Sequence, residues 1–206
     1  MKIADRRSFV RFTAGALGAL AMAGAAPWAQ AADEAPNAMM TRVSNEVLEL
    51  IKGDAVVDSK VMPYVNFTRM TASATGPAWR KATPEQRQRL QSEFKTLLVH
   101  TYAGALRQVK NQSVEVLPLR GAPTDKEVVV RTLIRGQGDP VQVDYRMEKT
   151  PGQGAGWKIY DVNVVGVWLV DNYRPQFAQQ INAGGVDALI RSLSERNQSN
   201  AASGKT

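Results

Sequence analysis

After Lys110-Asn111 the hydrophobic period of this chain changes from three or four residues to two, and it stays at two as far as Val165. Val114 and Val116 alternate with polar neighbours, as do Val128, Val130, Thr132 and Ile134, and then Val141, Val143, Tyr145 and Met147. These runs are separated by Gly121-Ala122-Pro123-Thr124-Asp125 and Gly136-Gln137-Gly138-Asp139-Pro140, which are turn compositions too short to hold crossover helices. Successive strands must therefore pair antiparallel, as a meander. A fourth strand, from Trp157 to Val165, follows Thr150–Gly156. Within it Trp157 and Ile159 share one parity while Val162 and Val164 share the other. The inward face thus switches near Tyr160-Asp161, which predicts a bulge or sharp coil there. Gln142, Asp144, Arg146 and Glu148 give the third strand one wet face, where the charges read most simply as a solvated ladder.

The flanks are helical. From Asn37 to Lys52, Met40, Val43, Val47, Leu48 and Ile51 recur at spacings of three and four, and Gly53 ends the pattern. A short segment around 55–62 stops before Pro63, and another helix begins at Asn66, an N-cap for Phe67-Thr68-Arg69-Met70, and is closed by Gly76-Pro77. Thr83, Pro84, Glu85 and Gln86 spell a capping box that opens a long helix, whose apolar face runs from Leu90 and Phe94 through Leu98 and Tyr102 to Leu106 and Val109. After the strands, helix returns from Val167 to Ile181, breaks at Gly184-Gly185, and resumes over Asp187–Glu195; the polar tail 197–206 is expected to be disordered. The fold class is α+β: a curved four-stranded antiparallel sheet with helices packed on one face, resembling NTF2-like domains and forming a single domain over 32–196. A wide apolar helix face on such a sheet can close into a solid core or leave an apolar cavity, and sequence leaves both open.

Charge has to be assigned before it is interpreted. The 206 residues carry a formal +7, but residues 1–31 read as a cleaved signal peptide: Lys2, Arg6, Arg7 and Arg11, an uncharged Ala/Gly/Leu stretch, and Ala29-Gln30-Ala31 as a small-x-small cleavage site. The run Arg6-Arg7-Ser8-Phe9-Val10-Arg11 fits a twin-arginine signal; a general secretory signal with adjacent arginines is the alternative, and Asp5 departs from the former. Both lead to the periplasm. Removal leaves 22 basic against 18 acidic residues, a net +4, with no Lys/Arg block and no interleaved aromatics, so no nucleic-acid partner is expected.

Catalytic chemistry is poorly supplied. With no cysteine and one histidine, the chain lacks thiolate metal sites and cysteine nucleophiles, and it shows no phosphate loop, Ser-His-Asp arrangement or metal-ligand spacing. Cavity-containing α+β domains also host isomerases and dehydratases, for which His100, Asp144, Tyr145 and Asp161 are the candidate acids and bases. His100 has no evident partner, and Asp161 sits where an acid could either face inward or cap a bulge amide.

Several stretches, in order, resemble the MlaC family of periplasmic phospholipid-binding proteins, the toluene-tolerance auxiliary transport family. They are Val61-Met62-Pro63-Tyr64-Val65-Asn66-Phe67-Thr68-Arg69-Met70, Trp79–Gln86, Phe94–Tyr102, Trp157–Val162 with Gly166-Val167, and Asn172-Tyr173-Arg174 with Phe177 and 185–190. Asn66, Val165 and Trp168 depart from the family pattern, which has Asp, Glu and Ser there. The resemblance implies a monomeric carrier, not an enzyme, with no cofactor and no metal, whose cargo is a phospholipid. Its implied partners are an outer-membrane lipoprotein complex and an inner-membrane ABC transporter with an MCE-domain subunit, and its role is to maintain outer-membrane lipid asymmetry. It also implies that Leu98, Tyr102, Leu106, Val116, Val130, Thr132, Ile134, Val143, Tyr145, Met147, Ile159, Val162, Val164, Val167, Trp168 and Phe177 line the cavity. Val167-Trp168-Leu169, apolar residues just after the sheet and before a polar helix, are expected at its mouth. Tyr173 and Arg174 would either meet a phosphate head group or brace the C-terminal helix.

Overall fold

The structure, a computed structural model, describes residues 34–52, 58–108, 112–120, 122 and 125–202. Residues 1–31, read from the sequence as a signal peptide, lie outside these residues. Helix α1 (Pro36–Lys52) buries Met39, Met40, Val43, Leu48 and Ile51 and packs on the first two strands. A single turn α2 (Asp58–Val61) leads through a 3₁₀ turn, Met62–Tyr64, to α3 (Phe67–Thr75). Asn66 is its N-cap, with Oδ1 accepting from Arg69 N at 3.0 Å. Gly76 at φ 60° turns the chain into α4 (Pro77–Lys81), a helix the sequence reading lacks because Gly-Pro signals a stop as strongly as it signals Pro at N1 of a new start. The capping box opens α5 (Pro84–Gln108): Thr83 N donates to Gln86 Oε1 at 3.0 Å and Gln86 N to Thr83 Oγ1 at 3.2 Å.

The sheet has five strands in sequential antiparallel order: β1 (Ser113–Val116), β2 (Glu127–Arg135), β3 (Val141–Lys149), β4 (Trp157–Val164) and β5 (Val167–Trp168). This corrects the expectation of four. Val165 at φ 50° and Gly166 at φ 87° both take left-handed conformations, which makes the two-residue hairpin that pairs Val164 with Val167. A valine there costs about 1–2 kcal/mol relative to glycine, so the usual Asn-Gly signature of such a turn is missing and the strand was hidden. The predicted bulge is present. Arg146 pairs with Asp161 but Met147 pairs with Ile159, so Tyr160 is the extra residue. The edge of β4 ahead of β5 is covered by Val65, bridged to Ile159, and by Asn66 N donating to the Ile159 carbonyl at 2.7 Å.

Helix α6 (Leu169–Ala202) kinks at Gly184 and Gly185, where the break was expected. It continues past Glu195 into the stretch read as a disordered tail. There Asn197 is buried, and its Nδ2 donates to the Glu93 carbonyl and to Glu93 Oε2 on α5 at 2.9 and 2.8 Å. A polar sequence thus stays helical because a neighbouring helix satisfies its amide. The core falls into two clusters. One is helical, joining Met70, Leu90, Phe94, Leu97, Val170, Tyr173, Phe177, Leu189 and Ile190; the other sets Met39, Met40 and Val43 of α1 on Val128, Val130, Met147, Trp157 and Ile159 of the sheet.

Candidate functional site

Register sorts the inward side chains into rows that cross the strands. Val128, Met147 and Ile159 form the first; Val130, Tyr145 and Val162 the second; Val116, Thr132, Val143, Val164 and Val167 the third; Val114, Ile134 and Val141 the last. The bulge is what returns Val162 and Val164 to the inner face, opposite the parity of Trp157 and Ile159. The rows differ in burial. The first is sealed; in the second Val130 is buried while Tyr145 and Val162 keep accessible surface. In the third, Thr132 and Val143 are buried, Val116 and Val164 half-buried and Val167 54% exposed; in the last, Val114 and Ile134 are half-buried and Val141 is 40% exposed.

Among the described residues the backbone of α5 approaches α6 and α3 most closely. Val65 and Val162 are packed against both clusters, at the join between them. Tyr145 packs against the sheet cluster, and burial is the main cause of its raised phenol pKa, with a Thr132 hydrogen bond opposing. On α5, Leu98 is buried in the helical cluster and Tyr102 is half-buried against it. The Tyr102 hydroxyl is pushed up to about 12 by burial and by its hydrogen bond to Tyr173. Leu106 lies in α5, with its side chain outside the described set.

Other expected residues are placed differently. Trp168 pairs with Asn163 and so falls on the outer face, where Arg146 stacks on its ring at 3.9 Å. The tight turn pairs Val167 with Val164 and reverses the parity of the next residue, which takes Trp168 out of the inward row. Phe177 and Tyr173 are buried in an aromatic trio with Phe94, at centroid separations of 5.0, 5.1 and 5.5 Å, and belong to packed core. Arg174 donates to the Ser73 carbonyl at 3.2 Å and pairs with Asp171 at 3.3 Å.

Two arrangements on the outer side go beyond the sequence reading, which gives Asp161 only the choice of facing inward or capping a bulge amide. Asp161 is fully buried, accepting from Arg146 Nη1 at 2.8 Å, Val162 N at 2.9 Å and Val170 N at 3.0 Å, so it caps the start of α6 from a distant strand. Arg69 of α3 pairs with Glu127 at 2.6 Å and Glu148 at 2.5 Å and stacks on the Tyr160 ring at 3.6 Å, clamping the bulge. The outer charges therefore form a tied network and not a solvated ladder. The candidate acids are spoken for: Asp161 as above, and Asp144 by Gln142 Nε2 at 2.9 and 3.1 Å, both on the face opposite Tyr145. His100 Nδ1 is buried without a partner among the described residues. Among those residues no group of three or more potential ligands could hold a metal ion, and no helix is long and apolar enough to cross a membrane.

The chain is thus an α+β domain, an antiparallel meander whose inner face is mostly apolar, buried in its first row and more accessible in its last, with helices beside it. The family model of the MlaC protein matches residues 33–195, and the chain belongs to that family. A phospholipid-binding protein from Ralstonia solanacearum, solved in complex with a phospholipid, is 43% identical, with a TM-score of 0.75 over 82% of this chain and 99% of that one. Among curated relatives, the toluene tolerance protein ttg2D of Pseudomonas putida is 34% identical over 52% of this chain. The intermembrane phospholipid transport system binding protein MlaC of Haemophilus influenzae is 24% identical over 68% of it. The chain covers 49% of the first relative's length and 66% of the second's.

Proposed function

We propose that the chain is a periplasmic phospholipid carrier and not an enzyme. The observation that carries the reading is the graded inner face. Val116, Tyr145, Val162 and Val164 remain accessible beneath a helix that rests on other helices, in a family with a phospholipid-bound relative at 43% identity. Acyl chains would lie between these residues and the Leu98–Tyr102 face of α5, leaving toward Val141 and Val167. The sealed first row, Phe177, Tyr173 and Trp168 are not part of the proposed lining. No cofactor or metal is proposed, and the head group would stand near solvent.

At about 0.8 kcal/mol per methylene, two chains of about 30 methylenes gain roughly 20 kcal/mol or more over water. Release into water is then slow, and transfer requires contact with a membrane or protein that offers an equivalent apolar site, where that free energy cancels. We infer the partners from this requirement together with the family: an outer-membrane lipoprotein complex on one side and an inner-membrane ABC transporter with an MCE-domain subunit on the other. Residues 1–31 would be removed on export and 32–196 would form the carrier.

Native mass spectrometry of gel-filtered protein, with chromatography of its solvent extract, tests the reading. The expected result is phospholipid bound in whole-number ratio to the chain. Val164→Trp, which fills the space with apolar volume, should lower bound lipid while leaving the far-ultraviolet circular dichroism unchanged. A wild-type chain without lipid, or a Val164→Trp chain that holds its full complement, would overturn the proposal.

A further inference from the structure

Among the described residues, four large aliphatic side chains are exposed, and three of them, Val141, Val165 and Val167, are gathered at one corner of the sheet. The β4–β5 turn and the start of β3 are held together there by Val165 N donating to the Gln142 carbonyl at 3.1 Å. Between them runs a groove of about 390 Å³ whose lining includes Asp139, Pro140, Val141, Asp144, Val165 and Gly166. Its charge runs against that of the protein. Residues 32–206 carry a formal +4, yet the groove has two carboxylates and no lysine or arginine in its lining. Asp144 meets the Gln142 amide, while Arg131, its partner across the strands, turns its Nη2 to the Pro118 carbonyl at 3.4 Å. No cation pairs with Asp139 or Asp144 among the described residues.

We propose that this corner is a docking surface for a partner protein, through a segment in which an aliphatic side chain is flanked by lysine or arginine. The aliphatic group would cover Val141 and Val165, and the cation would meet Asp139 and Asp144. Exposed aliphatics that cluster beside uncompensated carboxylates match that chemistry on both counts. An anionic bilayer would be repelled by the same carboxylates. Val167, one residue past Gly166 of the groove lining, belongs to the inward third row, so a segment docked in the groove would stand beside the accessible end of the inner face. That consequence rests on the carrier reading, whereas the surface itself does not.

A benzophenone amino acid at exposed position 140, photolysed in cells that export the full chain, reads the surface directly; position 129 on the outer face of β2 is the control. The expected result is an adduct with another protein, mapped by mass spectrometry of its digest to a segment with an aliphatic residue beside lysine or arginine. This adduct should be absent at position 129. It should be lost both in D139N/D144N and in Val165→Asn, since asparagine tolerates the left-handed turn. Unchanged thermal unfolding of the two variants separates loss of docking from loss of fold. An adduct that persists in them, one that forms equally from position 129, one with lipid or a second copy only, or no adduct at all would overturn the proposal. Lipid content of the same samples is assayed separately, so an empty protein would sink the carrier reading and leave the cross-link result readable.

Discussion

Asp161 ties three elements together, holding the bulge through Val162 N, the start of α6 through Val170 N, and the third strand through Arg146. Burial pushes its carboxyl above the ordinary 3.8, against the pull of the Val170 amide and the Arg146 guanidinium. The fold therefore binds the Asp161 proton more tightly than the unfolded chain does. Between 3.8 and the folded-state value, stability from this group falls as pH rises. Compared with Asp161→Asn, which cannot ionise, the wild-type chain should gain stability as pH drops through that window, with a flat difference above it. Chemical denaturation of both chains across the acid range measures this, and a difference of opposite slope would refute the assignment. The sequence marked Asp161 by its place at the parity switch, with capping as one of its two roles. It could not name Val170 as the amide capped, because that contact spans nine residues and a hairpin.

At the scale of elements, the legible features are those whose physics is local. The capping box of α5 satisfies two amides from within four residues, and replacing Thr83 by alanine should cost about 1 kcal/mol, read as a lower denaturant midpoint at unchanged slope. Should the midpoint stay put, the reciprocal bonds contribute nothing in solution. The bulge was legible for the same reason, since a change of parity within eight residues leaves few alternatives. Strand β5 was not, because its turn uses valine where asparagine or glycine would have announced it. Nor was the end of α6, where the Asn197 amide finds Glu93 on another helix. Of the expected lining residues, the sequence placed the inward parity of β1 to β4 correctly, while Trp168 changed face with the undetected hairpin.

For the whole molecule, the sequential antiparallel order of the meander follows from strand separators too short for crossovers. The export reading belongs to this scale too. Lysine substitution of both Arg6 and Arg7 should leave the full-length precursor in the cytoplasm if the paired arginines select the twin-arginine route, as fractionation and immunoblotting would reveal. Efficient export of the lysine variant would assign the chain to the general pathway instead.

By itself the sequence determined the α+β class, the order of the strands, the caps and the bulge, together with the scarcity of catalytic groups. These depend on periodicity, turn length and residue type, which act over a few residues. The tertiary structure alone decided which inward residues are sealed and which stay accessible. That outcome turns on where α1 and α5 come to rest relative to the sheet, and an apolar side chain reads the same in a sequence whether another side chain or a ligand will cover it.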